Sequence, residues 1–202
     1  MLMIFGNRDI DITIFIEELK KRVTVSTGEV ERFAQLWDHR EYKRNEFIQR
    51  AGTVPRFSMF VLDGCLRQFL VSENGIESNV YFAEERHFVG DLPAMRNNLA
   101  SAYNYQATEA SQLLTLSREN WEVVFSRFPW WAEAHMKGYQ KWAAAMQQQL
   151  ADMQLRSGEE RYLDLLKKRP SLFRRMPQHY IASYLGLTPE SLSRIRKKLA
   201  GN

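Results

Sequence analysis

One cysteine in 202 residues, Cys65, sets the first limits. It excludes an internal disulfide, a cysteine-ligated iron–sulfur cluster and a Cys-rich zinc site. The expected compartment is the reducing cytoplasm. Long apolar runs are equally scarce. No stretch approaches the ~18 uncharged apolar residues that a membrane span needs, so no membrane partner is expected. Met1–Phe5 is apolar, but Arg8, Asp9 and Asp11 interrupt it at once, and no secretory leader is expected. There is no His-x-His pair, and His39, His87, His135 and His179 are scattered. That pattern offers no metal site and argues against a cupin-type metal enzyme, so neither a metal nor enzymatic activity is expected. What remains is ordinary globular material, 45% apolar and 26% charged, enough for one large domain or two small ones.

The charge is uneven. From Arg156 to Asn202 eleven Lys/Arg face four Asp/Glu, a balance of +7. The first 155 residues carry 17 against 20, a balance of −3. A basic tail behind a mildly acidic body points to an anionic partner for the tail, or to a solvated basic surface.

Residues 12–40 read as helical, because Ile12, Phe15, Ile16, Leu19 and Val23 recur at three- and four-residue steps. Ser26-Thr27-Gly28-Glu29 fits a capping box that opens a short helix with Val30, Phe33, Ala34 and Trp37. Residues 41–116 change character. Short apolar runs at 47–48, 57–62, 65–71, 80–82, 103–107 and 113–116 alternate with turn residues, which predicts an antiparallel sandwich or barrel. Asn74-Gly75 between two runs is a hairpin signal, since both residues accept positive φ. Cys65, in a predicted strand, reads as a small buried hydrophobe.

The helix period returns at Arg118, and Pro129 punctuates it. A long helix is predicted from about Trp130 to Arg156, ~40 Å at 1.5 Å per residue. His135, Tyr139, Trp142, Met146 and Met153 step by 4, 3, 4 and 7. This is a heptad seam with Gln149 at the missing position, suited to a two-helix dimer or to packing on the chain's own sheet domain.

Three short helices are predicted beyond it, at 159–168, 177–185 and 189–199. The run from Gln178 to Ile195 looks like a helix-turn-helix. Ala182 is small enough for a close crossing, and Gly186 permits the left-handed turn. Ile181, Leu185, Leu187, Leu192 and Ile195 fall on faces that can meet inside. The second helix then exposes Glu190, Ser191, Ser193, Arg194 and Lys197. Arg can donate two bonds to guanine O6 and N7, and Glu can accept from cytosine N4. Arg174, Arg175, Arg196, Lys197 and Lys198 suit phosphates, with Thr188 at the helix start. The other reading of this segment is a helical hairpin with a basic face.

Tyr184-Leu185-Gly186-Leu187-Thr188-Pro189-Glu190-Ser191-Leu192-Ser193-Arg194 closely resembles the recognition motif of the Crp/Fnr transcription regulators. The resemblance extends to Asn45-Glu46-Phe47-Ile48, Gly52, Phe60-Val61-Leu62-Asp63-Gly64, Gly75 and Phe88-Val89-Gly90-Asp91-Leu92, which match that family's cyclic-nucleotide-binding β-roll. It implies an α+β chain. An N-terminal antiparallel, jelly-roll-like β-roll with flanking helices covers 1–129, a long dimerisation helix 130–157, and a helix-turn-helix DNA-binding domain 158–202. The implied partners are double-stranded DNA, a second copy of the chain, RNA polymerase and a small-molecule effector. The implied base readers are Glu190 and Arg194, with Ser193 as in the Fnr-like branch and Ser191 beside them.

Two departures matter. Members that bind cyclic AMP carry Gly-Glu-Leu and, further on, an Arg followed by a small residue. Here Gly90-Asp91-Leu92 keeps the first part with Asp for Glu, and Ser101-Ala102 stands at the second. A cyclic phosphate would lack its charge-assisted partner unless Arg96 supplied it, so no cofactor is expected. The roll is then a dimer scaffold or senses another ligand. The chain also ends three residues after Leu199, so a domain lacking a full C-terminal wing is expected. The contrasting function is a ligand-binding β-roll whose basic helical tail contacts protein or RNA.

Overall fold

The computed structural model describes residues 1–5 and 8–201. It opens with a hairpin, β1 (Leu2–Phe5) and β2 (Arg8–Asp11), that pairs Leu2 with Asp11 and Phe5 with Arg8. Helix α1 (Thr13–Lys20) and helix α2 (Thr27–Ala34) follow. The capping box is present: Ser26 Oγ accepts from Glu29 N–H, and the Glu29 carboxylate accepts from Ser26 N–H. The helical reading fails beyond Ala34, because strand β3 begins at Asp38 and runs to Tyr42. The cause is position. β3 is a sheet edge, and Asp38-His39-Arg40-Glu41-Tyr42 carries mostly solvent-facing polar residues that give no alternating apolar signal.

The strand run forms two four-stranded sheets. One has the order β3-β10-β5-β8, with β5 (Phe57–Asp63), β8 (Phe88–Val89) and β10 (Ser111–Ser117). The other has the order β4-β9-β6-β7, with β4 (Phe47–Gln49), β6 (Leu66–Val71), β7 (Glu77–Ala83) and β9 (Asn104–Ala107). The chain switches sheets repeatedly, from β3 to β4, β5 to β6 and β7 to β8, which makes the body jelly-roll-like. At the β5–β6 corner Gly64 has φ +94°, and a Cβ there would stand 2.7 Å from Ala110 O. No side chain fits this turn. Cys65, next to it, is buried.

Only part of the Asn74-Gly75 reasoning holds. Gly75 takes φ +77°, whereas Asn74 stays at negative φ. Ser72 N–H donates to Ile76 O and Gly75 N–H to Ser72 O, both at 2.9 Å. The connection is a three-residue turn closed by a left-handed glycine, not a two-residue one.

Between β8 and β9 lies helix α3 (Leu92–Asn97), and after β10 helix α4 (Arg118–Arg127), capped by Ser117. Helix α5 runs from Pro129 to Leu155, 27 residues. Proline opens it without cost because the first helical N–H needs no partner. Helices α6 (Gly158–Lys168), α7 (Pro170–Arg175), α8 (Gln178–Tyr184) and α9 (Pro189–Ala200) complete the chain. Helix α7 lies where the sequence shows only a proline stop. Its Leu172 is fully buried, and Phe173 stacks edge-on against Tyr162 at 5.3 Å.

The described chain forms two compact units. One is Met1–Gln68 with Phe82–Lys141, and the other Phe69–Tyr81 with Trp142–Asn202. An aromatic cluster fills the first. Phe15 meets Phe60 at 5.0 Å, and Trp131 at the start of α5 meets Phe33 at 4.8 Å. Each fully buried ring of this kind stabilises the fold by ~1.5–3 kcal/mol relative to exposure. In the second unit Leu165, Leu172, Ile181, Ala182, Leu185 and Leu192 are buried together with Tyr162 and Met176.

Candidate functional site

Helix α8 stops by a defined device. Leu187 N–H donates to Ala182 O at 2.9 Å and Gly186 N–H to Ser183 O at 3.0 Å, with Gly186 at φ +66°. This closes the helix end with a left-handed glycine. Arg161 of α6 then holds the last carbonyl, with Nη2 at 2.9 Å and Nε at 3.1 Å from Leu185 O. Nothing in the spacing of the sequence marks Arg161 for that role. Gly158 packs closely here: a Cβ there would stand 2.6 Å from Leu187 Cδ2, so that side chain would have to shift.

Two residues later the next helix begins. Thr188 Oγ1 accepts from Ser191 N–H at 3.2 Å, and Pro189 sits in the first turn. Leu192 is buried and anchors α9, while Glu190, Ser193, Arg194, Arg196, Lys197 and Lys198 are exposed. Leu187 and Ile195 are half-buried, at the margin of the core. Glu190 and Arg194 are four residues apart and share one face of α9. The Glu190 carboxyl is held below the usual range, first by its own backbone N–H and then by the Thr188 hydroxyl, so it stays an ionised acceptor. Ser191 is half-buried, and its hydroxyl is the meeting point of Thr188 Oγ1 and Arg194 Nη2, each at 3.2 Å. It orients Arg194. Among the expected phosphate contacts, Arg174 is exposed and Arg175 half-buried. Lys198 Nζ is paired with Glu159 Oε2 at 2.6 Å.

On α5 the exposed apolar residues are Met136, Tyr139, Trp142, Leu150, Met153 and Leu155, with Met146 half-buried between them. All but Leu155 lie on one side of the helix at heptad-like steps. Leu150, 62% exposed, and Met136 belong to this stripe although the sequence seam omits them. His135 leaves it. Its ring packs against Trp121 at 5.2 Å, Phe125 and Trp131, inside the first unit. Burial, with the charges of Arg22 and Arg96 behind it, lowers the His135 pKa.

In the roll, Gly90, Asp91, Leu92 and Ser101 do come together. Asp91 Oδ1 accepts from Ala94 N–H at 3.2 Å and so caps α3. Its Oδ2 accepts the Ser101 hydroxyl at 2.7 Å. Ser101 is 2% exposed, and its Oγ also accepts Tyr103 N–H at 3.1 Å. Gly90 is packed to 3.2 Å of Ser58 Cα, counted from where a Cβ would be. Arg96 and Ala102 are exposed. A cyclic phosphate entering this turn would meet an acceptor-only carboxylate already engaged by Ser101, with no cation among Gly90, Asp91, Leu92, Ser101 and Ala102. Among the described residues no group of three or more His, Cys, Asp or Glu can hold a metal ion, and no helix is long and apolar enough to cross a membrane.

Comparison with known proteins places these features. Residues 39–128 match the family described as cyclic nucleotide-binding domain. A comparison with curated protein sequences finds no match. Among solved structures, the c-di-GMP-responsive global regulator CLP of Xanthomonas campestris superposes with a TM-score of 0.71 at 18% identity, covering 87% of this chain and 92% of that one. The catabolite activator protein of Thermus thermophilus gives 0.56 at 21% identity, covering 91% and 87%. FixK2 of Bradyrhizobium japonicum gives 0.67 at 16% identity, covering 82% and 85%. The chain has the fold of these Crp/Fnr-type regulators, around a segment that matches the cyclic nucleotide-binding domain.

Proposed function

We propose that the chain is a DNA-binding transcription regulator of the Crp/Fnr type, working in the cytoplasm as a homodimer on a palindromic operator. The observation that carries this reading is the α8–Gly186–Thr188–α9 unit. It anchors α9 by Leu192 and leaves Glu190 and Arg194 exposed on one face, with Arg194 oriented by Ser191. Such a helix fits the major groove. Arg194 donates to a guanine, Glu190 accepts from a cytosine, and Ser193 lies beside them. Arg174, Arg175, Arg196 and Lys197 neutralise phosphates around the bases. Thr188 and Ser191 hold the start of the helix.

The stripe of α5 from Tyr139 to Met153 is the surface on which a second copy pairs. Two copies then present two recognition helices to successive major grooves ~34 Å apart. In functional terms residues 1–129 form the sensor or scaffold, 130–157 the dimer helix and 158–202 the DNA-binding domain. RNA polymerase is the expected further partner. The effector of the roll, if it takes one, is a small molecule other than a cyclic nucleotide, a reading supported by the closure of Asp91 on Ser101.

Mobility shift of the pure protein against pooled duplex DNA, with single-stranded RNA of equal length as competitor, tests the reading. Duplex DNA retained over RNA is the expected result. Preference for RNA, or no nucleic-acid binding, would reject it in favour of an interaction module.

A further inference from the structure

Strand β7 ends its sheet, next to β6 alone. Along an edge strand, alternate residues turn their N–H and C=O groups away from the ladder. The bond from Ser72 N–H to Ile76 O fixes which ones here. Counting from that bonded pair, residues 77 and 79 face the open side. One side chain of the helix-turn-helix takes both. Ser183 Oγ, on α8, accepts from Asn79 N–H at 2.9 Å and donates to Glu77 O at 3.1 Å. A single hydroxyl thus stands in for a neighbouring strand.

The residues around Ser183 are fixed as well. Tyr184 Oη lies 3.3 Å from Gln149 Oε1 of α5, and Leu185 O is held by Arg161. The hairpin Phe69–Tyr81 accordingly belongs to the same compact unit as Trp142–Asn202. Yet its strands continue into the sheet that contains β9, and β9 starts at Asn104, just after the Ser101-Ala102 turn. Two residues beyond Ser183 the chain reaches Leu185 and then the Gly186 turn that aims α9.

We infer that Ser183 is a latch: by seating α8 on the open edge of β7, it makes the presentation of the recognition helix depend on the hairpin of the β-roll. In the latched form Glu190 and Arg194 are exposed, so the latched form is the one that reads DNA. This rests on the proposed DNA-binding function.

The test measures backbone hydrogen exchange and operator binding on the same full-length proteins, native and Ser183→Ala. Alanine suits a helix, so the variant keeps α8, and exchange at Leu114 and Leu116 in β10 reports an intact roll. Exchange at Asn79 should speed up by roughly ten-fold, and operator affinity should fall by about the same factor, since both report one opening. Unchanged exchange at Asn79 would overturn the latch. Faster exchange with undiminished operator affinity would overturn its coupling to DNA. Native protein that binds no duplex would instead reject the regulator function, and exchange at Asn79 would then decide the latch alone.

Discussion

Ser101 donates its hydroxyl to Asp91 Oδ2 at 2.7 Å. The Asp91 carboxylate therefore serves the protein itself, as the cap of α3 and the acceptor for the turn at 101–103. Among Gly90, Asp91, Leu92, Ser101 and Ala102 there is no cation for a cyclic phosphate to meet.

Thermal unfolding with cyclic AMP follows directly. A ligand at ~100 times its Kd would stabilise the native state by about 2.7 kcal/mol and raise Tm by roughly 5–10 °C. For this chain the expected shift at ~1 mM cyclic AMP is under about 1 °C. A shift of several degrees would show that the turn opens and finds a cation elsewhere.

Arg194 and Lys197 separate base reading from charge. Arg194→Ala should cost ~1–3 kcal/mol per half-site and relax the preference at one base pair. Lys197→Ala should weaken all sequences alike and lower the salt slope by about 1. Binding isotherms on matched and mismatched duplexes at several salt concentrations distinguish the two. Ser191→Ala belongs with Arg194→Ala if its hydroxyl orients the guanidinium, although the loss should be smaller.

The α5 stripe predicts the oligomer. Leu150→Glu places a charge on the Tyr139–Met153 face and should raise the dimer dissociation constant at least ~100-fold, about 3 kcal/mol. Light scattering at micromolar concentration should give two chain masses for the native protein and one for the variant. One chain mass for the native protein would remove the dimer.

His135 sets a pH dependence. Burial lowers its folded pKa below the ordinary value of 6.5. Between the two values the unfolded chain binds more protons, so stability rises with pH. The contribution is complete above about 6.5 and is lost as pH falls through the folded pKa. Urea midpoints should fall from pH 7.5 to pH 5.5, and His135→Leu should flatten that slope. An equal slope in the variant would assign the effect to other groups.

Gly186 carries the turn. At φ +66°, and with Met153 Sδ at 3.3 Å from any added Cβ, Gly186→Ala should cost roughly 1–3 kcal/mol. Denaturant unfolding measures the loss, and an unchanged midpoint would contradict the assigned geometry.

Much of this was legible in the sequence, for physical reasons. Gly186, Thr188 and Ala182 are punctuation that local chemistry dictates, so α8 and α9 were readable residue by residue. The same holds for Ser26 and Glu29. The 27-residue α5 was legible because its period is sustained and Pro129 marks its start. The misses have causes too. The edge strand β3 is polar on most positions, and α3, with six residues, is too short to show a period. The hairpin of β1 and β2 at the N-terminus mixes Leu2 and Ile4 with Arg8 and Asp9 and gives no clean alternation. His135 fits the seam by spacing alone. Its burial beside Trp121 depends on tertiary packing that spacing does not encode. Ser183 and Arg161 act through backbone groups of distant segments, and no local pattern announces such partners.

The most direct measurement is selection from random duplex DNA by the pure protein, with and without cyclic AMP. The account predicts a two-fold symmetric consensus, with half-sites about one helical turn apart, recovered equally in both arms. No enrichment in either arm, or a consensus that appears only with cyclic AMP, would contradict it.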